Sequence, residues 1–366
     1  MEKKPKWLFM VYMVAGDSDK LDSLAVQDLK EMERGVANNE NVQCFVKVHR
    51  KWPADPQTYT IKKPDTNPKA SPTTQMFSGA NRALKTSGIP LSTQQKLRET
   101  RSEPANMGDE ETLTEFLKAG PRAENYCLVL WGHTAGLGFG REHGNKLTLG
   151  ELRRALEKFE KAKKQRLNIL GANTCVMAYA EAIFELRNCA QYMVASEVFV
   201  PFAGWPYQEI LSQVTDQDSA ELGSLIATRY VDFYDTPDRD ERVAMTVLDL
   251  AQADPLAEVI ENVGVGIKKA IEGDKRVNKS TIKKIERLQR IQDAFLINPA
   301  GQIRPALDLP RLASDLIDAC DEIVHSEGGM TQAERRQAER RVSQLRSAAK
   351  AVDKILPDPP DHFDPD

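Results

Sequence analysis

Apolar residues fall along this chain in two rhythms. Nearly unbroken apolar runs at 7–15, 126–131 and 167–172, rich in β-branched and aromatic residues, predict strands buried on both faces. Elsewhere apolar positions recur every three or four residues. Leu21, Leu24, Ala25, Leu29 and Met32 predict a helix capped by Asp19, and Leu222, Leu225, Ile226 and Tyr230 predict another over 219–234. Further strands are expected at 41–48, 191–195 and 243–248, with helices at 109–117 and 148–161. The latter opens with the capping box Thr148-Leu149-Gly150-Glu151. Strands alternating with helices predict a parallel sheet closed by right-handed crossovers.

Between 51 and 105 the pattern lapses into Pro, Thr, Ser and Lys, with short β-prone pieces at 57–62 and 74–77. That segment is either a surface insertion at the sheet's edge or a flap over its ligand-binding rim. Beyond Asp249 helical periodicity returns at 256–271, 279–291 and 307–324. A last helix opens at Thr331-Gln332-Ala333-Glu334 and places Val342, Leu345, Ala349, Val352 and Leu356 on one stripe. The stripe either packs on its own domain or meets a protein partner. The expected organisation is an α/β domain over 1–250, a helical region over 251–356 and a disordered tail over 357–366.

A hydrophobic content of 41% suffices for a sizeable core, and a net charge of -4 leaves no basic surplus for nucleic acid. Lys3, Lys4 and Lys6 ahead of 7–15 mimic a signal peptide, yet no small-residue cleavage site follows, so the run is expected to be a core strand. No stretch of 18 apolar residues exists, and a soluble protein away from membranes is expected. Cys44, Cys127, Cys175, Cys189 and Cys320 are widely spaced and form no CxxC pair. Such a set suits a reducing, cytoplasmic setting without a disulfide framework or zinc site. No EF-hand loop, GxGxxG or Walker motif is present, so no metal or cofactor is expected.

Two predicted strands end in residues fit for nucleophilic chemistry. The run 126–131 breaks into Gly132-His133-Thr134-Ala135-Gly136-Leu137-Gly138, and the run 167–172 ends in Asn173-Thr174-Cys175 ahead of a helix-like pattern from Met177. In an open α/β sheet both ends lie on one edge, the edge that binds ligands. A helix N-terminus and a neighbouring imidazole would both favour the thiolate of Cys175. Alone, a cysteine after a strand is usually a packed hydrophobe and a loop histidine a solvated one. Together at two strand ends they form a candidate cysteine–histidine nucleophile pair. His49, His143, His325 and His362 lack such a setting, with His143 the nearest competitor.

These segments also carry a resemblance. Trp131-Gly132-His133 with its trailing glycines, Asn173-Thr174-Cys175-Val176-Met177, Ala195-Ser196-Glu197 and Gly204-Trp205-Pro206-Tyr207 resemble the clostripain family of cysteine peptidases, relatives of the caspases. Tyr12-Met13, Gly16-Asp17 and Asn106-Met107-Gly108-Asp109 add to it, and the likeness runs from about Lys6 to Leu250. It implies a caspase-like three-layer sandwich with a mostly parallel central sheet flanked by helices. It also implies hydrolysis of a polypeptide by a His133–Cys175 dyad through a thioester. Backbone amides at Cys175 and near Thr134 would form the oxyanion hole. Asn173, Ser196, Glu197 and Trp205 are the corresponding substrate-binding candidates.

Two departures from the family matter. Members that cleave after arginine or lysine carry aspartate where this chain has Asn173, which offers a hydrogen bond but no charge, so either Glu197 or another carboxylate supports cleavage after a basic P1 residue or the preferred residue is neutral. Thr134 stands where the family usually has glycine. Family members are often zymogens cut between the histidine and the cysteine, and Arg141, Lys146, Arg153 and Arg154 are the basic residues offered here. The competing reading is a catalytically inactive caspase-like scaffold that binds a partner through 51–105 or the C-terminal helices.

Overall fold

The computed structural model describes residues 4–16, 18–51, 56–63, 106–134, 138–142, 144–236, 239–240, 243–258, 260–261 and four single positions, 332, 336, 340 and 343. The chain divides into two units, Met1–Ala251 and Gln252–Asp366. Positions 262–271 and the expected helices at 279–291 and 307–324, the last helix apart from those four single positions, the piece at 74–77, His143, Cys320 and the tail lie outside the described residues.

In order, the first unit contains β1 (Trp7–Val14), α1 (Asp19–Val36), β2 (Val42–His49), β3 (Gln57–Ile61), α2 (Glu110–Ala119), β4 (Asn125–Trp131), β5 (Gly138–Glu142), β6 (Asn145–Thr148), α3 (Leu149–Lys163) and β7 (Leu167–Asn173). There follow α4 (Ala180–Leu186), β8 (Ala190–Ala195), α5 (Tyr207–Ser212), α6 (Ser219–Tyr234), the short ribbon β9 (Asp235–Thr236) and β10 (Arg239–Asp240), and β11 (Thr246–Asp249). Among the described residues, seven strands form one sheet in the order β11-β8-β7-β4-β1-β2-β3. The inner five are parallel, and β3 and β11 close the margins antiparallel.

Every residue of β1 is buried, as a central strand covered on both faces must be. Trp7, Phe9, Val11 and Met13 face one layer, where Leu21, Ala25 and Met32 of α1 meet Tyr207 and Leu211 of α5 and Leu222, Ile226 and Tyr230 of α6. On the other face the Tyr12 ring packs on Phe116 of α2, and Tyr126 meets Phe159 of α3 edge-on. The result is the expected three-layer α/β sandwich. Among the described residues no helix is long and apolar enough to cross a membrane.

Three local expectations are corrected. Ser18, not Asp19, caps α1: its backbone is extended and its side chain accepts from Leu21 N, whereas Asp19 is already helical. The stretch 139–146, expected to be a short loop ahead of the helix at 148, instead forms most of the β5–β6 hairpin, where Phe139 and Leu147 are fully buried. The helix expected from Met177 begins only at Ala180. Met177 and Ala178 instead donate their amides to Ser196 O at 2.9 and 3.1 Å.

Candidate active site

Strands β4 and β7 are parallel neighbours, with Trp131 paired to Asn173. His133 and Cys175 each follow that pair by two residues, so both leave the sheet at the same height of its carboxyl edge. Adjacent strands lie about 4.8 Å apart, which places the two loops side by side. Gly132 N donates to Asn173 O at 3.3 Å. The Thr134 hydroxyl donates to Cys175 O, so its 2.9 Å contact with Thr174 Oγ1 takes a hydrogen from Thr174. Gly132 lets the loop pass close to the end of β1: its φ is 144°, and a Cβ there would come within 2.9 Å of Val14 O.

Cys175 sits in a tight turn. Val176 adopts a positive φ of 45°, and its amide donates to Val198 O at 3.0 Å. The same segment reaches the thiol, with Val200 N donating to Sγ at 3.4 Å and the thiol pointing to Val200 O at 3.7 Å. The N-terminus of α4, five residues downstream, is too far for the dipole effect anticipated above, which fades within a turn. The Val200 amide takes the place expected of the helix as a donor to sulfur. Cys175 is partly exposed, whereas Cys44, Cys127 and Cys189 are buried, and burial pushes all three of those thiols well above their usual range.

His133 is exposed at the mouth of its loop, its carbonyl accepting from Gly140 N at 3.0 Å. Its ring meets that of Phe202 at near right angles, with centroids 6.5 Å apart, and Lys20 Nζ lies 3.4 Å from the Phe202 centroid. The loop after β8 therefore touches both the sulfur and the imidazole, through Val200 and Phe202. The ends of that loop, Ser196, Glu197 and Trp205, were anticipated, but its middle was not, although the apolar run Val198-Phe199-Val200-Pro201-Phe202 outside any predicted strand was a legible signal.

The other anticipated residues lie at different depths. Asn173 is buried, its carboxamide donating to the Tyr207 hydroxyl at 3.3 Å beneath Gly204. Ser196 is fully buried, and its hydroxyl exchanges 3.1 Å bonds with the backbone of Val198. Trp205 is fully buried, its ring filling the space a Cβ on Gly171 would need. Glu197 is exposed where the loop begins. Thus His133, Thr134 and Cys175 are brought together at the surface, while Asn173, Ser196 and Trp205 form the ground beneath.

Below Asn173 lies a carboxyl group that the sequence did not single out. Asp28 of α1 is buried and accepts from Trp131 Nε1 at 2.6 Å. Burial drives its carboxyl well above the ordinary carboxylate range, and the Trp131 N–H opposes that only in part. The Tyr207 phenol is likewise held protonated, by burial first and by Asp28 second. Among the described residues no group of three His, Cys, Asp or Glu side chains could hold a metal ion.

Comparison with known proteins agrees with this layout. The structure is similar to that of a secreted C11 cysteine protease from Bacteroides thetaiotaomicron in complex with an irreversible peptide inhibitor, at 18% identity and a TM-score of 0.52, over 71% of this chain and 70% of that one. It is also similar to an inactive zymogen C11 protease from Parabacteroides distasonis, at 17% identity and a TM-score of 0.53, over 93% and 82%. At such identities the likeness is one of fold. No curated protein gives a significant match. The clostripain family model, Peptidase C11, matches residues 11–298. A match over most of the sequence decides membership: this is a cysteine peptidase of the clostripain family.

Proposed function

We propose that the protein is an endopeptidase in which Cys175 is the nucleophile and His133 carries the proton. The sulfur attacks the scissile carbonyl, His133 protonates the leaving amine, and water cleaves the thioester with His133 acting as base. Amides at Cys175 and Thr134 are suited to hold the oxyanion, because the Thr134 hydroxyl already ties those two loops together. The register of Trp131 on Asn173 is the observation that supports this reading, since His133 and Cys175 each follow it by two residues where neighbouring strands end.

The substrate is a polypeptide. Asn173 marks the floor of the pocket for the residue before the scissile bond, and an amide there favours no charge. A basic P1 residue would therefore depend on another carboxylate, such as the exposed Glu197, and without one the preferred residue is neutral. Self-cleavage, where it occurs, falls in the β5–β6 hairpin. Arg141 and Lys146 are exposed on its two arms, whereas Arg153 and Arg154 lie in α3 and are tied to Glu157, Glu185 and Glu110.

Hydrolysis of a fluorogenic peptide library by the wild type, Cys175→Ala and His133→Ala tests the dyad. Cys175→Ala should abolish turnover, and His133→Ala should lower kcat by about 10²- to 10⁴-fold. Retention of wild-type kcat by either variant would refute the assignment. An active preparation that runs as a single uncut band on a denaturing gel would rule out obligatory self-cleavage.

A further inference from the structure

His49 was passed over as a histidine without a setting, yet it ends β2 on the same carboxyl edge as His133 and Cys175. It is buried, and its Nδ1 faces Glu142 Oε1, the more deeply buried partner. A carboxylate only accepts, so Nδ1 carries the hydrogen. The second oxygen of Glu142 takes the amide hydrogen of Met107. Met107 O in turn accepts from the Tyr12 hydroxyl at 2.9 Å, and His49 O accepts from Ala15 N at 3.0 Å. One carboxylate thus gathers the ends of β1 and β2, the turn before α2 and strand β5.

That gathering bears on catalysis through β5. Two residues before Glu142, Gly140 N holds His133 O, and three before it Phe139 bridges Thr134, whose hydroxyl reaches Cys175 O. The hairpin is otherwise a short two-stranded ribbon, a structure with little stability of its own. Its outer strand β6 carries exposed Asn145, Lys146 and Thr148, so the apolar Phe139 and Leu147 and the Glu142 carboxylate are what fix it to the sheet.

We propose that His49 and Glu142 form a clamp that positions the His133 loop against Cys175. They are positioning residues and touch no substrate. The proposal rests on His133 being the proton carrier. A displacement of the imidazole by about an ångström costs on the order of 100-fold in rate while leaving substrate binding intact. The clamp therefore acts on kcat and not on KM.

Four variants test it, with kcat counted per active site titrated by a peptide acyloxymethyl ketone. His49→Phe should lower kcat by about 10- to 100-fold with KM within about twofold. His49→Asn, whose amide nitrogen falls near the position of Nδ1, should restore most of the loss. Glu142→Gln should resemble the wild type, because its carboxamide can accept from Met107 N and donate to the other tautomer of His49. The apolar pair His49→Phe with Glu142→Leu leaves no buried charge without a partner, so it should fold even where the single variant does not. It should still show the kcat loss. Wild-type kcat in His49→Phe or in the apolar pair, with only the melting temperature lowered, would overturn the clamp. The dyad has a separate control: wild-type turnover in His133→Ala would sink that assignment independently of any change at His49.

Discussion

Gly204 decides how Asn173 is presented. Its φ of 64° lies where side chains are strained, and a Cβ would come within 2.8 Å of both polar atoms of the Asn173 carboxamide. Gly204→Ala should therefore cost the left-handed penalty of about 1–2 kcal/mol and in addition push the carboxamide aside, lowering both the melting temperature and kcat. Gly144 is the control: its φ is 80° with open space around it, so Gly144→Ala should pay the backbone cost alone and keep kcat. Asn173→Asp tests the neighbouring claim. A carboxylate at this site would find the Tyr207 hydroxyl as a donor and should shift P1 preference towards Arg and Lys by tenfold or more, as a charge-assisted bond is roughly twice as strong as a neutral one. An unchanged profile from a positional-scanning peptide library would remove Asn173 from the pocket floor. At this scale the sequence was partly legible. Cys175 and His133 stood out at strand ends, but His49 could not, because its partner Glu142 is 93 residues away and nothing beside it announces the pairing.

Helix α1 packs against the sheet with a buried carboxyl on its inner face, and that has a consequence for pH. Burial holds the pKa of Asp28 well above the usual value, so in the window between its unfolded and folded pKa the native state keeps a proton that the unfolded chain has lost. Stability contributed at this site is thus present at low pH and is lost as pH rises through the window. Glu33 on the same helix, raised to about 7 chiefly by burial, acts in the same direction from its ordinary value upward. Asp28→Asn should keep the contact with Trp131 and flatten the fall of melting temperature as pH rises above the ordinary carboxylate range. A variant as pH-sensitive as the wild type would show that Asp28 is ionised in the folded state. The helices and core strands were legible because periodicity reports burial directly. The β5–β6 hairpin was not, as its arms carry charges and glycines around only two buried apolar residues. The start of α4 was missed because apolar Met177 and Ala178 suit a helix locally, while the carbonyl of Ser196 claims their amides.

At the scale of the whole molecule, five parallel strands point their carboxyl ends one way, and the histidine, the cysteine and the buried His49–Glu142 clamp all gather on that rim. The same layering divides the thiols. Cys44, Cys127 and Cys189 are enclosed between sheet and helices, and only Cys175 among these four is open to solvent. Brief treatment of the native protein with iodoacetamide followed by peptide mapping should modify Cys175 and leave those three untouched until the protein is denatured. The parallel direction of the central strands was foreseeable from the alternation of strand and helix, while their order and the antiparallel margins were not, since edge strands carry too few apolar positions to reveal their direction. The most direct test of a shared site is the rate constant for alkylation of Cys175 at neutral pH, in the wild type and in His133→Ala of equal melting temperature. An imidazole within reach of the sulfur predicts a fall of tenfold or more in the variant, and equal rates would contradict it.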